Sequence, residues 1–195
     1  MILTTDMLKI EYKNYADING KIGRDVRSGR LIPIKRGLYE TDADVPGYML
    51  SQYIYAPSYI SFDYVLYIHD MIPEAVYKTF GNATIGKEKT KKYTNYFGTY
   101  LYRDIPQEVY PLGVRNVQEQ GYSYNICTLE KALCDKLYTL NSVNSMQELK
   151  KLLFDDLRID EDKFWAMDRE QILSYAPKYG SKNLNLLKKL FEKGK

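Results

Sequence analysis

Six basic side chains lie close together near the beginning of the chain, and only Asp25 opposes them within that stretch. They are Lys21, Arg24, Arg27, Arg30, Lys35 and Arg36. Ammonium and guanidinium groups bind phosphate oxygens, and an arginine can also hold the edge of a guanine through two hydrogen bonds. The chemistry that this stretch predicts is therefore the binding of nucleic acid, with a solvated charged surface as the alternative.

The first three of these basic residues fall in a predicted helix. Ile18, Ile22 and Val26 recur at every fourth position and form one apolar stripe. Asp17 is a suitable N-cap, and Gly29 can adopt the left-handed conformation that ends a helix. We expect the three basic side chains to lie off the stripe and to face solvent.

A predicted strand, tight turn and second strand follow this helix. Leu31–Ile34 is apolar, Lys35–Gly37 suits a turn, and Leu38–Tyr39 is apolar again. A basic helix followed by a basic hairpin is the second half of a winged helix-turn-helix, in which the helix enters the major groove of DNA. A first helix, capped at Thr5–Asp6 and ending near Lys13, is expected before it. An ordinary hairpin beside a charged helix is the alternative.

Four lysines form a second basic stretch that is interleaved with aromatic residues. The lysines are Lys87, Lys89, Lys91 and Lys92, and the aromatic residues are Tyr93, Tyr96 and Phe97. Lysines hold phosphates and aromatic rings stack on bases, so the four lysines are candidate secondary contacts to nucleic acid. Lysines also protect an edge strand from aggregation, and the composition favours this second interpretation.

The residues that most often carry catalysis are scarce. His69 is the only histidine, which excludes a histidine-based triad and a metal site with several histidine ligands. Cys127 and Cys134 are predicted to be buried packing residues, and the carboxylates between Asp155 and Asp162 to be solvated helix caps. Without a P-loop or a dinucleotide-binding motif, we expect no enzymatic activity, no metal site and no cofactor.

Charge and hydropathy limit the class of protein. A net charge of +3 over 195 residues is too small for a whole-molecule polyanion binder, so any nucleic-acid site must be local. No apolar run approaches the ~20 residues that cross a bilayer, and the first residues lack the pattern of a signal peptide. We expect a cytoplasmic protein that makes no contact with a membrane.

A change from basic to apolar and aromatic composition near residue 46 indicates two domains. Residues 1–45 are predicted to be a winged helix-turn-helix domain. Residues 48–195 are predicted to be a mixed sheet followed by helices, which makes the fold class α+β. Predicted strands cover 76–80, 83–85, 92–97, 99–102 and 122–127, and predicted helices follow N-caps at Ser61, Thr128, Ser145, Asp168 and Ser181.

Several segments, taken in order, give the chain a family resemblance. They are the basic helix with Gly29–Leu31 and Arg36–Tyr39, then Pro57–Ser61, Leu66, His69, Ile72–Glu74, Ala83–Thr84, Phe97–Arg103 and Thr128–Leu137. Together they resemble the AbiEi-type antitoxins of type IV toxin–antitoxin systems, which act in abortive infection against phage.

The resemblance implies two activities. The N-terminal domain would repress its own operon by binding inverted repeats in double-stranded promoter DNA. The C-terminal domain would counter a nucleotidyltransferase-like toxin without forming a stable complex with it. The resemblance also marks the helix that carries Glu130, Lys131 and Asp135. We expect these three residues to fix that helix to the sheet through caps and an ion pair, with a surface for toxin or RNA as the alternative.

Two other function classes remain open from the residues. One is a plain transcriptional regulator whose C-terminal domain senses a ligand. The other is a nucleic-acid-processing enzyme that docks through its winged helix. A neighbouring gene for a nucleotidyltransferase-like protein favours the antitoxin, whereas metal-dependent activity on nucleic acid favours the enzyme.

Overall fold

The computed structural model describes residues 1–194, which form a mixed α+β fold with two β-sheets. This confirms the predicted α+β class. A small antiparallel sheet is built from the first forty residues, and a larger mixed sheet with most of the helices follows it in the chain.

The small sheet has three strands and is accompanied by two helices. The elements are β1 (Ile2–Thr4), α1 (Thr5–Glu11), α2 (Ile18–Arg27), β2 (Ile32–Lys35) and β3 (Leu38–Glu40). The order across the sheet is β1-β3-β2, and both pairings are antiparallel. The helix and hairpin predicted from the basic stretch are therefore present as α2, β2 and β3.

Side-chain caps fix the starts of the first two helices. Asp17 Oδ1 accepts a hydrogen bond from the Gly20 amide at 2.8 Å, so the predicted cap of α2 is confirmed. Helix α1 is capped by Thr4, so the expected cap at Thr5–Asp6 is wrong, whereas its end at Glu11 lies within two residues of the expected end near Lys13. The reason is that β1 runs directly into α1, which makes its last residue the cap.

The apolar stripe of α2 packs into a small core of its own. Ile22 is buried, and Ile18 and Val26 are partly buried against the same cluster. The other buried members come from β1, α1 and the loops around them: Leu3, Leu8, Tyr12 and Leu31. This packing holds α2 against the sheet and leaves its other face to solvent.

The larger sheet has six strands in mixed orientation. They are β4 (Ser58–Ile60), β5 (Thr79–Thr84), β6 (Lys91–Asn95), β7 (Gly98–Asp104), β8 (Val114–Glu119) and β9 (Tyr122–Cys127), in the order β6-β7-β5-β4-β9-β8. Strands β5 and β7 are parallel, as are β4 and β9, and the other neighbours are antiparallel.

Two sequence predictions for this sheet need correction. The strand predicted from residue 76 begins at Thr79, because Lys78 has a φ of +48°, which interrupts extended backbone. It then continues to Thr84, so that two predicted strands are one. Strand β8 was not predicted at all, because Val114–Glu119 has only two apolar residues.

The remaining helices are short and cover the sheet. They are α3 (Ser51–Ile54), α4 (Phe62–Ile68), α5 (Leu129–Tyr138), α6 (Met146–Lys151), α7 (Glu161–Trp165), α8 (Arg169–Tyr175) and α9 (Lys182–Lys193). The side chains of Thr128, Ser145 and Asp168 cap the starts of α5, α6 and α8, respectively, as predicted. Helix α5 is central, since it packs against α4, α8 and α9.

One hydrophobic core joins the two sheets. Ile32, Ile34 and Leu38 of the N-terminal hairpin are buried in the same cluster as the residues of the large sheet. Val45, from the connecting segment, belongs to that cluster as well. The segment near residue 46 is therefore packed against both parts of the molecule.

Candidate nucleic-acid interface and a buried polar network

Two arginines of α2 and one of the hairpin turn project from the N-terminal part of the molecule. Arg24 and Arg27 are exposed, and Arg36 is exposed in the turn between β2 and β3. None of the three guanidinium groups has a hydrogen-bond or ion-pair partner within the described part of the chain. Three unpaired cations on a helix and the hairpin after it form an arrangement that can bind phosphates and base edges.

The expectation that Lys21 faces solvent is wrong. Its amino group donates to Asp25 Oδ1 at 2.7 Å, one helical turn away, and lies 5.3 Å from the ring centre of Tyr12 and 5.5 Å from that of Tyr15. The reason is that Asp25 points into the small core and needs a cation. Hydrogen bonding from Lys21, which outweighs burial, lowers the pKa of Asp25 below its usual range. Lys21 is therefore occupied in holding α2 to α1.

Arg30 and Lys35 are intermediate between the unpaired arginines and the paired Lys21, because each has one polar contact within the protein. Arg30 is largely exposed, and one of its guanidinium nitrogens lies 3.4 Å from Asp25 Oδ1. The Lys35 amino group donates to the Ile54 carbonyl at 2.7 Å, and burial lowers the pKa of this lysine. Arg30 thus keeps most of its side chain exposed while its guanidinium lies beside Asp25, whereas Lys35 links the hairpin to α3.

The second basic stretch lies on an edge of the large sheet. Among residues 1–194, strand β6 pairs in the sheet with β7 alone, as the interpretation of protective lysines requires. Lys89 and Lys92 are exposed, whereas Lys87 and Lys91 are half-buried. The amino group of Lys87 lies 5.3 Å from the ring centre of Tyr55.

The structure brings the two basic stretches together. Asn95, in β6, donates from its side-chain amide to the Ile34 carbonyl of β2 at 2.9 Å. Alternate residues of a strand share a face, so Lys91 lies on the same side of β6 as Asn95. Lys35 contacts Ile54, and Lys87 lies over the next residue, Tyr55. The basic residues of the hairpin and of β6 therefore neighbour one another.

The third group of predicted residues lies inside the molecule. Lys131 and Asp135 of α5 have no exposed surface, and Glu130 is almost completely buried. Glu130 accepts a hydrogen bond from the backbone amide of Asp168 at 3.1 Å, which ties the start of α5 to the start of α8. A surface for toxin or RNA at Lys131 and Asp135 would require the molecule to open, so the alternative interpretation of these two residues is wrong for this conformation.

Asp135 is the centre of a fully satisfied polar network. Its Oδ1 accepts hydrogen bonds from the Lys131 amino group at 2.8 Å and from the Tyr179 hydroxyl at 2.6 Å. Its Oδ2 accepts from the Tyr59 hydroxyl at 2.8 Å and from the Ser61 hydroxyl at 2.7 Å. The network therefore joins α5 to β4 and to the turn before α9.

The environment of the network favours the neutral forms of its two tyrosines and of the neighbouring Cys127 thiol. Burial, followed by the charge of Asp135, raises the pKa of Tyr59 and of Tyr179 well above the usual value. The same two causes raise the pKa of the Cys127 thiol. The Lys131 amino group also lies 4.8 Å from the ring centre of Tyr179. Because Lys131, Asp135, Tyr59 and Tyr179 are buried and bonded to one another, the network stabilises the fold.

The sequence did not predict that Tyr59, Ser61 and Tyr179 would contact Asp135. Ser61 stands at the predicted N-cap of α4, but its hydroxyl donates to Asp135 and makes no capping bond. Tyr59 and Ser61 do lie in a segment of the family resemblance, which is a signal for them. Tyr179 lies outside that resemblance, and nothing in its neighbouring sequence indicates the contact.

The other candidates for chemistry are spread through the molecule. His69 stands at the C-cap of α4 and is exposed, and both cysteines are buried and unpaired. Within residues 1–194 there is no group of three or more His, Cys, Asp or Glu side chains placed to hold a metal ion. Over the same range, no helix has the length and apolar character that crossing a membrane requires.

No model of a known protein family matches this chain. A search of curated proteins also found no match.

Proposed function

We propose that this protein binds promoter DNA through α2 and the β2–β3 hairpin and thereby represses its own operon. The observation that carries the proposal is the exposed, unpaired pair Arg24 and Arg27 on a helix that a hairpin with exposed Arg36 follows directly. The element order and the strand order β1-β3-β2 suit a winged helix-turn-helix with only two helices. In this proposal α2 is the recognition helix and the hairpin is the wing.

The dimensions of α2 are adequate for this role. Its ten residues form a helix about 15 Å long, and the major groove of B-DNA admits such a helix. Arg24 and Arg27 are three positions apart, so they project from neighbouring turns on one side. Arg36 and Arg30 would contact the phosphates beside the groove, as a wing does.

The lysines near β6 extend this surface in the proposal. Lys87 and Lys91 lie beside the hairpin, and Lys89 and Lys92 are exposed nearby along the chain. Contacts of this kind reach only phosphates, so they raise affinity without selecting a sequence. Replacing Lys87 and Lys91 with alanine should weaken binding to all DNA sequences alike and reduce its dependence on salt.

The decisive experiment removes the two arginines of α2 from the full-length protein. A double variant, Arg24→Ala with Arg27→Ala, is compared with wild type in gel shifts on the DNA upstream of its own gene. We expect affinity to fall at least about thirtyfold, because each bidentate arginine contact is worth ~1–3 kcal/mol. Thermal unfolding should hardly change, since neither side chain is buried or paired.

A matched control loses the same charge elsewhere. Lys150 and Lys151 are both exposed on α6, and the variant Lys150→Ala with Lys151→Ala should bind the promoter as wild type does. Promoter binding that survives in a folded Arg24/Arg27 variant would overturn the proposal.

The antitoxin half of the proposal rests on the family resemblance. We propose that the part of the chain after the hairpin counters a nucleotidyltransferase-like toxin without forming a stable complex. The test is growth of cells that express the toxin-like product of the adjacent gene together with this protein. The Arg24/Arg27 variant should lose repression but still protect the cells. A protein that never protects, yet binds the promoter, would instead favour a plain regulator.

A further inference from the structure

Gly23 stands in the middle of α2, although nothing in the described part of the chain requires a glycine there. Glycine weakens the interior of a helix relative to alanine, because its backbone loses more conformational freedom on folding. The backbone of Gly23 is helical, so no left-handed conformation calls for a glycine. Among residues 1–194, the one atom that a Cβ would meet beyond its chain neighbours and the helix backbone is Arg27 Nη1, at 3.7 Å. That is an ordinary contact distance, so an alanine would fit.

The other glycine of α2 has a cause inside the protein. A Cβ at Gly20 would collide with the Asp17 carboxylate, which caps the helix by accepting a hydrogen bond from the Gly20 amide at 2.8 Å. The cap therefore accounts for Gly20, whereas no comparable neighbour accounts for Gly23. The space in front of Gly23 is open to a molecule that approaches α2 from solvent. A glycine is the residue that lets a ligand come closest to the backbone.

Two side chains that can bind base edges lie on either side of Gly23. Asn19 is four positions before it and Arg27 is four positions after it, so the three residues form one row along the helix. Asn19 is exposed, and its amide has no hydrogen-bond partner within the described part of the chain. The row therefore combines an open stretch of backbone with a free amide and a free guanidinium.

The chemistry of Asn19 selects one base. Its amide can donate to N7 of adenine and accept from the N6 amino group, whereas guanine presents two acceptors at the same edge. Asn19 is the second residue of α2, and the residues near the start of a recognition helix are those that contact base edges. An asparagine side chain is short, so it reaches a base only when the helix backbone lies close to the groove. Gly23, one turn further along, leaves room for that approach.

We propose that α2 lies in the major groove with the backbone of Gly23 against the DNA, and that Asn19 binds the edge of one adenine there. Asn19 can reach a base only if α2 is the recognition helix, so the assignment rests on the proposed function and adds to it the base that the site recognises. Gly23 is a positioning residue, because it lets Asn19 and Arg27 approach the bases and selects none itself.

The first measurement compares promoter binding and thermal unfolding of Gly23→Ala with those of wild type, in the full-length protein. We expect affinity to fall at least about tenfold, because the added methyl group holds α2 away from the base edges. We expect Tm to rise by about 1–4 °C, because alanine stabilises the helix. Weaker binding by a more stable protein cannot result from misfolding, so the two readouts together isolate the contact with DNA.

The second measurement identifies the adenine. A set of promoter fragments carries 7-deazaadenine at one position each, which replaces the N7 acceptor with a C–H group and leaves base pairing intact. Wild type should lose about fivefold in affinity at one adenine, and Asn19→Ala should bind about tenfold more weakly but lose nothing further there. Gln147→Ala is the matched control, since it removes an exposed amide from the second residue of α6 and should bind as wild type does.

The results separate failure of this assignment from failure of the proposed function. If the Arg24/Arg27 variant loses binding but Gly23→Ala or Asn19→Ala binds as wild type does, DNA binding stands and the close approach of α2 is wrong. A Gly23→Ala protein that melts below wild type would show that the fold itself requires the glycine, which also overturns the proposal. The same holds if Asn19→Ala keeps the sensitivity of wild type to 7-deazaadenine at every position. If the Arg24/Arg27 variant binds the promoter as wild type does, the proposed function itself fails.

Discussion

Helices α2 and α5 contain the same ion pair at the same spacing, a lysine followed four positions later by an aspartate. The pair in α5, Lys131–Asp135, has no exposed side-chain surface, whereas Lys21 and Asp25 of α2 keep 12% and 3% of theirs. The Asp135 carboxylate in α5 accepts four hydrogen bonds. Asp25 Oδ2 in α2 lies near the Tyr12 phenol but makes no hydrogen bond of ordinary geometry. The extent to which the ion pair is buried, rather than the identity of its two residues, decides how many hydrogen-bond partners the rest of the fold must supply.

The energetic consequence of depth follows from desolvation. A charge removed from water loses several kcal/mol of solvation, and a single partner rarely compensates for it. Around Asp135 the compensation comes from Tyr59, Ser61 and Tyr179 as well as Lys131. Around Asp25 part of it can come from solvent, because 12% of the Lys21 side chain is exposed. The two pairs should therefore respond very differently to the same substitution.

The largest effect is expected for Asp135→Asn. The variant leaves the Lys131 ammonium buried without a counter-charge, and we expect the free energy of unfolding to fall by about 3–5 kcal/mol. Urea denaturation measures this loss. Protection against the toxin should decline only in proportion to the folded fraction. A variant that unfolds like wild type but no longer protects cells would contradict the structural role of this network.

A second variant serves as the control for this prediction. Adding Lys131→Met to Asp135→Asn removes both charges, so part of the lost stability should return. A double variant less stable than Asp135→Asn alone would show that lost packing, rather than an unpaired charge, causes the effect.

Replacing the aspartate of the α2 pair with asparagine should lower the free energy of unfolding by less. We expect Asp25→Asn to lower the free energy of unfolding by about 1–2 kcal/mol at pH 7, because Lys21 and Arg30 can turn to water. A loss as large as that of Asp135→Asn would show that the two sites are equivalent after all.

Acid should reduce the difference in the free energy of unfolding between wild type and Asp25→Asn. The pKa of Asp25 is lowered in the folded protein, so its contribution is complete above the usual aspartate pKa and is lost as the pH falls through the folded value. Urea denaturation at pH 7 and near pH 3 should thus show the gap closing. A gap that stays constant would mean that the charge of Asp25 is not what stabilises α2.

The smallest effect is expected for a third pair with the same spacing. Lys188 and Glu192 of α9 are 3.5 Å apart and both well exposed. Exposed pairs contribute little, and the order lysine then glutamate is the weaker one on a helix. Glu192→Gln should change the free energy of unfolding by less than about 0.5 kcal/mol. A larger loss would break the relation between depth and cost.

The sequence was informative wherever structure is decided by near neighbours. The caps at Asp17, Thr128, Ser145 and Asp168 and the stripe of α2 were predicted, because each depends on residues within a turn or two. The hairpin was predicted for the same reason. These local features also placed Arg24 and Arg27 on an exposed face.

Features that depend on distant residues could not be predicted. Lys21 looks like any other lysine of a basic helix until Tyr12 of α1 packs beside it. An ion pair in α5 was expected from the sequence, but the hydroxyls that surround Asp135 were not, because Tyr59 and Tyr179 lie far away in the chain. The parallel pairings of the large sheet are likewise invisible to any local pattern.

The short central strand β4 has a consequence for the time course of folding. Strand β4 has three residues and lies between β5 and β9 in the large sheet. Its parallel pairing with β9 places Ile60 beside Ile126. The hairpins β6–β7 and β8–β9 close over a few residues, whereas this contact must close a loop of more than sixty. Loops of that length close slowly compared with hairpins. We expect the two hairpins to gain protection of their amide hydrogens first, and the union of the two halves of the sheet to be the late event that completes the native state.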